Sequence, residues 1–278
     1  MAVNGLVDAD VVFLRDLVQK RSAIVLDETK DYLIETRLER LARDLNYANL
    51  AALVADVRRD AGTVTRQLIE ALTTHETLFF RDVRPFEVLK REILPPLIAA
   101  RQANRQLTIW SAACSSGQEI FSVAMMLREH FPDVVSWPVK LYATDISAQI
   151  LERAQQGRFQ QLEVNRGLPA AMLVKYFERD GVDWKVKDDI RRMVRFEQLN
   201  LLHAWPLDLR PDVVLLRNVL IYFNVPTKKE LLTRVRQILR PDGALMLGAA
   251  ETTLGIDDGW ERAPGAQSPW YRVARGSP

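Results

Sequence analysis

Residues 109–119 read Ile-Trp-Ser-Ala-Ala-Cys-Ser-Ser-Gly-Gln-Glu. An apolar run gives way to small side chains and then to a helix start. Small residues let a ligand approach the backbone, and a helix N-terminus offers N–H groups with no intrahelical partner. In an open α/β sheet such a loop lies at the carboxyl end of a strand, beside the crevice where ligands bind. Neither phosphate signature is present: of Gly-x-Gly-x-x-Gly only Gly117 stands here, and no Gly-Lys-Ser/Thr follows. A nucleoside without phosphates therefore fits better than a diphosphate. Glu119 can meet a positive group on the ligand, or merely complement a helix dipole. Asp145 ends the next apolar run. A carboxylate there can accept hydrogen bonds from both ribose hydroxyls, or cap the following helix. Adenine, ribose and a cationic amino-acid tail together point to S-adenosylmethionine. Cys114 has no histidine near it in sequence and reads as a small loop filler.

Two other segments carry candidate chemistry. Thr74-His75-Glu76-Thr77-Leu78-Phe79-Phe80-Arg81 contains an arginine that could hold a carboxylate with two parallel hydrogen bonds, or pair with Asp82 at the surface. Phe79 and Phe80 could wall a pocket or pack a domain junction. Leu216-Arg217-Asn218-Val219-Leu220-Ile221-Tyr222-Phe223 contains a tyrosine whose hydroxyl could aim a substrate, or whose ring could belong to the core. No Ser–His–Asp or Cys–His set is evident.

Two regions of different periodicity must position these groups. Up to about residue 105 the pattern is helical. Ile34, Leu38, Leu41 and Leu45 follow one helix face, as do Phe13, Leu14, Leu17 and Val18, and Leu50, Leu53, Val54 and Val57. A helix from 65 to about 73 completes a small all-helical unit. Residues 1–81 are expected to form this N-terminal domain, and 82–106 a connector. Pro85 suits the first turn of a helix there, and Pro95-Pro96 should kink or end it. Residues 107–278 are expected to form an α/β domain. Strands at 107–110, 140–144, 194–199, 213–216 and 244–247 alternate with helices at 119–129, 148–156 and 227–239. That alternation predicts a doubly wound, mostly parallel sheet covered by helices. Residues 175–195 break the pattern with short antiparallel strands turned at Gly181. They form an inserted β-subdomain or a plain surface hairpin.

Composition narrows the function classes. Lys+Arg number 38 and Asp+Glu 36, so the formal charge of +2 lacks the field of a dedicated nucleic-acid binder. One cysteine excludes a disulfide framework and a multi-thiolate zinc site, and three scattered histidines give no reason to expect a metal. The longest apolar stretch, around 213–225, is broken by Arg217 and Asn218 and is too short to span a bilayer. The chain is expected to be a cytoplasmic monomer that neither binds nucleic acid nor inserts into membranes.

In combination the 74–81 and 216–223 segments, the 111–119 loop and Tyr142-Ala143-Thr144-Asp145-Ile146-Ser147 resemble the CheR family, the chemotaxis protein-glutamate O-methyltransferases. Asn200-Leu201 is a further match, and the similarity spans roughly residues 10–273. It implies an all-helical N-terminal domain, a class I S-adenosylmethionine-dependent methyltransferase domain and a small antiparallel β-subdomain inserted in it. It also implies methyl transfer to glutamate side chains on the cytoplasmic methylation helices of chemoreceptors, for sensory adaptation in chemotaxis, with S-adenosylhomocysteine as product. His75, Thr77, Arg81, Glu119, Asp145, Asn200, Leu201, Arg217 and Asn218 would line the cofactor site. Arg81 and Tyr222 would be catalytic, closest to the transferring methyl. A receptor's C-terminal tail would dock on the β-subdomain. The family usually has Asn, Gly, Glu and Cys where His75, Ala113, Gln118 and Leu216 stand here.

A glutamate acceptor, with a pKa of about 4.3, is ionised at neutral pH and needs no general base. The task is in-line positioning. Arg37, Arg40 and Arg43 lie on or beside one side of the second helix and are candidate contacts for an acidic receptor helix. A solvated face offset by Glu35 and Glu39 is the alternative. A methyltransferase for another protein or a small molecule, or a non-catalytic S-adenosylmethionine-binding adaptor, would share these features.

Overall fold

The computed structural model describes residues 6–59, 62–206, 209–265 and 268–274. The backbone divides into two compact units. One holds the chain up to Thr74 together with 222–227, and the other holds 75–221 and the chain from 228 onward.

In the first unit α1 (Asp8–Ser22), α2 (Asp31–Asp44), α3 (Leu50–Arg59) and α4 (Thr63–Leu72) follow the expected periodicity. Each buries one stripe into a shared core that includes Leu14, Ile34, Leu38, Leu53 and Leu68. The end of α4 is tied to α2 by Arg37. Its guanidinium donates to the carbonyls of Leu72 and Thr73 at 3.0 and 2.8 Å and to Thr74 Oγ1 at 3.2 Å. These carbonyls are among those that a helix leaves unpaired at its C-terminus.

The second unit begins at residue 75, so the expected boundary after 81 moves back. The segment 82–106 is not a connector. It forms α5 (Arg84–Val88), a π-helical turn (Leu89–Ile93) and α6 (Leu94–Ala100). Phe86, Leu89, Ile93, Leu94 and Leu97 enter the main core of the unit. Pro95 and Pro96 do not end the helix, because they sit in the first turn of α6, where a missing N–H costs nothing.

The sheet strands are β1 (Leu107–Ala112), β2 (Val139–Asp145), then β3 (Arg158–Phe159), β4 (Phe177–Asp180) and β5 (Asp183–Val186) of a separate small sheet. β6 (Val194–Gln198), β7 (Val213–Leu216), β8 (Ala244–Leu247), β9 (Trp260–Arg262) and β10 (Trp270–Val273) complete the main one. The main order is β6-β2-β1-β7-β8-β10-β9. The first five strands in that order are parallel, and β10 runs antiparallel to both β8 and β9. β7 and β8 are buried at every residue, as befits strands covered on both faces. The antiparallel edge was not legible in the sequence, because β9 and β10 are short and lack the continuous apolar run that marks β7 and β8.

Helix α7 (Gln118–His130) and the short α8 (Pro132–Val135) lead from β1 to β2, and α9 (Ala148–Gln156) leaves β2. α10 (Gln161–Asn165), α11 (Ala170–Tyr176) and α12 (Asp188–Arg191) accompany the small sheet, and α13 (Val225–Ile238) precedes β8. The small sheet has the order β3-β5-β4, all antiparallel. The insertion therefore starts at β3, earlier than residue 175, since the two residues of β3 pair with a strand far along the chain.

The amino ends of β1, β7 and β8 are locked by one ionic cluster. Buried Asp212 accepts from Arg101 Nε and from the Thr108 N–H, both at 2.7 Å, and Arg240 Nε stands at ion-pair distance from it, 3.3 Å. Arg101 also grips Asp242 with both terminal nitrogens, at 2.9 and 2.6 Å. These bonds from Arg101 hold the Asp242 carboxyl below its usual pKa. A lowered carboxylate pKa stabilises the fold above the unfolded value of about 3.9, and that contribution is lost as pH falls through the folded value. Asp242→Asn should therefore make the loss of stability below about pH 4 shallower. Urea unfolding across about pH 2–6 measures it, and identical acid limbs for both proteins would contradict the assignment.

Candidate active site

The strand order reverses at β1, which has β2 and β6 on one side and β7 and β8 on the other. Ligands of open α/β sheets bind outside the carboxyl ends of the strands at such a reversal. The segments after Ala112, Asp145, Gln198, Leu216 and Leu247 leave the sheet at that end.

The loop after β1 is tightly wound. Ala113 and Ser115 adopt left-handed backbone conformations, with φ of 67° and 52°. The Cys114 N–H donates to the Thr144 carbonyl, and the Ser115 N–H donates to Asp145 Oδ2, at 2.8 and 2.9 Å. Asp145 Oδ1 accepts from the Ser147 N–H at 3.1 Å. The cap of α9 is Ser147, whose Oγ accepts from the Ile150 N–H. Asp145 is thus a loop-holding carboxylate and not the cap. It is 6% exposed, and burial pushes its pKa up against the opposing pull of His75 and of the N–H donors from Ser147 and Ser115. His75 lies within reach, its Nδ1 4.0 Å from Asp145 Oδ1, and its carbonyl accepts from Ser115 Oγ at 2.8 Å. Cys114 is buried, and its thiol pKa is raised well above normal by desolvation and by the charges of Asp145 and Glu119. A thiol so disfavoured as thiolate is inert, in keeping with a filler role.

Arg217 joins the other two segments. Its side chain is 2% exposed. Nη1 donates to Glu119 Oε2 at 2.8 Å, and Nη2 donates to Asp82 Oδ2 at 2.9 Å and to the Arg81 carbonyl at 3.1 Å. Glu119 Oε1 accepts from Ser111 Oγ at 2.8 Å. Asp82 is therefore engaged by Arg217 and not by Arg81. Arg81 instead donates to the Glu76 carbonyl at 2.9 Å, closing the 76–81 turn in which half-buried Thr77 lies. Phe80, Asp82 and Val83 all have positive φ, of 48°, 68° and 53°. A β-branched residue at such a φ is an outlier that only its surroundings can maintain. Phe79 is fully buried, edge-on to Phe159 and Phe177 with ring centroids 4.9 and 5.5 Å apart, so it packs the core.

Comparison with known proteins now decides the family. Residues 75–267 match the model described as "CheR methyltransferase, SAM binding domain", and residues 9–73 match "CheR methyltransferase, all-alpha domain". The chain is similar to chemotaxis protein methyltransferase 1 of Pseudomonas aeruginosa, 38% identical over 270 residues, covering 96% of this chain and 98% of that one. It is likewise 38% identical to chemotaxis protein methyltransferase Cher2 of Pseudomonas putida, over 89% of this chain and 91% of the relative. The chain belongs to the CheR methyltransferase family. It is a class I methyltransferase that uses S-adenosylmethionine, as the resemblance implied.

The remaining residues that CheR-type motifs single out are distributed as follows. Leu199 donates its N–H to the Asp145 carbonyl, which sets Asn200 and Leu201 beside the end of β2. Asn200 Oδ1 accepts from the Leu202 N–H, and the Leu201 carbonyl accepts from Arg234 and Trp205 at 2.6 and 3.1 Å. Asn218, with φ of 58°, follows Arg217, and its N–H donates to Glu251 at 2.7 Å. Tyr222 belongs to the helical unit, where its carbonyl accepts from the Val25 N–H. In that unit Arg37 is occupied by the end of α4, as described above. Arg40 is 81% exposed, 3.8 Å from Asp44, and Arg43 is exposed. Sequence reading missed Asp82, Gly167 and Glu251. Asp82 adjoined a motif and was weighed only as a partner for Arg81. The other two carry no motif, and their partners lie far away in sequence.

Gly167 is fixed by a close approach. A Cβ on it would stand 2.0 Å from the Phe79 carbonyl oxygen, at φ of 88°. Gly181 has φ of 64° with nothing near its Cβ position. Gly167→Ala should therefore cost about 3 kcal/mol or more, and Gly181→Ala only about 1. Urea unfolding of both variants would reveal equal losses if the close approach were unimportant.

Proposed function

We propose that this methyltransferase acts on glutamate side chains of chemoreceptors and converts them to methyl esters. The observation that carries the reading is Asp145, a buried carboxylate at the end of β2 in a sheet whose family match is a SAM binding domain. The donors and acceptors present suit the cofactor. Asp145 accepts the Ser115 N–H on one oxygen and the Ser147 N–H on the other, with Ile146 as a further backbone donor, and the roughly four lone-pair sites of a carboxylate leave room for a ribose hydroxyl. Glu119 likewise retains acceptor capacity beside Ser111 and Arg217, suited to an ammonium group. His75, Thr77, Asn200, Leu201 and Asn218 would complete the binding set. When bound, S-adenosylmethionine supplies an electrophilic methyl group on a sulfonium.

The chain's own residues would position rather than deprotonate. Arg81 would hold a carboxylate with its planar fork, and Tyr222 would aim the acceptor. An ionised glutamate has its nucleophilic lone pair already available, so no side chain need remove a proton. Arg40 and Arg43 remain the exposed cations of α2 that would meet an acidic receptor helix. The edge strand β4, paired with β5 alone in the small sheet, would accept a receptor tail by strand addition. No helix among the described residues is long and apolar enough to cross a membrane. The proposed work is at the cytoplasmic face of receptors, by a monomer.

Incubation of the purified chain with methyl-labelled cofactor and receptor fragments tests the acceptor. Label should enter a receptor segment and vanish when its acceptor glutamates are changed to Gln. Labelling of the Gln variant at undiminished level would redirect the reading to another acceptor.

Asp145 gives a pH-dependent test of the binding set. An acceptor for ribose must be ionised, and burial raises the pH at which Asp145 takes up a proton. Cofactor affinity should therefore fall with acidification at a pH above the ordinary aspartate value of about 3.9. Asp145→Ala should weaken binding at neutral pH by about 1–3 kcal/mol. Calorimetric affinity unchanged in the folded variant would remove Asp145 from the site.

A further inference from the structure

Glu251 lies just beyond β8, outside every motif that points to the family. Its side chain is buried, and it is placed to do one thing. Oε2 accepts from the Asn218 N–H and the Gly248 N–H, both at 2.7 Å, and Oε1 accepts from the Ile221 N–H at 3.2 Å. Among the described residues no basic side chain pairs with it. Its charge is matched by three backbone donors that converge on one carboxylate. Two of those donors belong to the turn after β7, where Asn218 takes its left-handed conformation with φ of 58°.

The fit around this carboxylate is close. A Cβ at Gly248 would stand 2.7 Å from Glu251 Oε2, 2.8 Å from Asn218 Nδ2 and 2.9 Å from the Asn218 nitrogen. The backbone at 248 can approach Asn218 only because it carries no side chain. Glu251 thus fastens the turn after β7 to the turn after β8, and does so through the N–H of Asn218 itself. Ile221, the other residue it holds on that turn, immediately precedes Tyr222 in the chain.

We propose that Glu251 is a positioning residue for the methyl-transfer reaction. It fixes the turn 217–221 so that the Asn218 side chain meets the cofactor. This rests on the reading of Asn218 as a cofactor-binding residue, and the experiment separates the two. A carboxylate is needed and an amide will not serve. Gln offers one oxygen to three N–H donors, and its NH2 must then face one of them. An orphaned buried N–H is costly, and the turn will relax to find another partner.

Glu251→Gln, Asn218→Ala and the double variant are to be compared by calorimetry for S-adenosylmethionine, with thermal unfolding and turnover on a receptor fragment. Val235→Ala, a buried residue of α13, serves as a control for general destabilisation. Glu251→Gln should weaken cofactor binding about tenfold. The double variant should bind no more weakly than the worse single one, because Glu251 acts through Asn218. Val235→Ala should lower the unfolding temperature and leave affinity alone. Wild-type affinity in folded Glu251→Gln, or additive losses in the double variant, overturns the proposal. Wild-type affinity in Asn218→Ala overturns the assignment of Asn218 first, and this proposal with it. Should Glu251→Gln not fold, Glu251→Asp carries the same measurements. It keeps the charge but loses one methylene of reach, and unchanged affinity there is equally decisive against the proposal.

Discussion

The buried guanidinium of Arg217 is the interaction on which the site depends. Taking such a cation out of water costs several kcal/mol unless partners surround it. Here Glu119, Asp82 and the Arg81 carbonyl do so, drawn from the first turn of α7 and from the segment before α5. Truncating any one partner would leave charge unmatched in a low-dielectric environment, so the three segments are held as a set. The cluster also has a sign. Two carboxylates, Glu119 and Asp82, face the one buried guanidinium of Arg217, which leaves the balance negative. A negative balance disfavours phosphate groups and favours a cationic ligand. That electrostatic preference agrees with the absence of a phosphate loop in the sequence.

Backbone strain follows the same map. Six non-glycine residues with positive φ occupy the three segments: Phe80, Asp82 and Val83, Ala113 and Ser115, and Asn218. Each such conformation costs about 1–2 kcal/mol and persists only where other contacts enforce it. One carboxylate restrains each segment. Asp82 binds Arg217, Asp145 holds the Ser115 N–H, and Glu251 holds the Asn218 N–H. At the opposite end of the strands the Arg101–Asp212–Asp242 cluster fixes the amino ends of β1, β7 and β8, with Arg105 at φ of 49° beside it, while the carboxyl ends carry the bent loops of the three segments.

Elements with long, regular patterns were legible in the sequence. The helix at 148–156 and the strands at 213–216 and 244–247 fall where their periodicity placed them. The 82–106 segment was expected as a connector, since nothing in its spacing shows what its apolar helix face packs on. The structure gives that face a partner, in the main core of the second unit. β3, β9 and β10 carry neither a clear period nor a continuous apolar run, and they are strands through the pairing of their neighbours. At the carboxyl ends of the strands, motif reading reached Arg217 and Asn218 but not Asp82 and Glu251, which bond to them. Arg37 illustrates the limit from the other side. Its helical spacing with Arg40 and Arg43 suggested a docking stripe, yet its partners at Leu72 and Thr73 lie 35 and 36 residues on. Spacing along one helix carries no information about a carbonyl that another helix leaves unpaired.

The departures from the usual family pattern now have physical content. Ala113 stands in a left-handed conformation where glycine is common in the family. Alanine bears the cost of that backbone, and the flanking bonds of Cys114 to Thr144 and Ser115 to Asp145 hold it there. The loop therefore keeps its shape without the glycine. His75 is a different case. An imidazole can donate a hydrogen bond as an asparagine amide does, but it can also carry a charge. With Nδ1 4.0 Å from Asp145 Oδ1, a protonated His75 favours the ionised carboxylate, against the burial that favours the neutral one. An asparagine in its place could exert only the weaker pull of a dipole. The protonation of Asp145 is therefore tied to its neighbour, with burial and the imidazole pulling it in opposite directions.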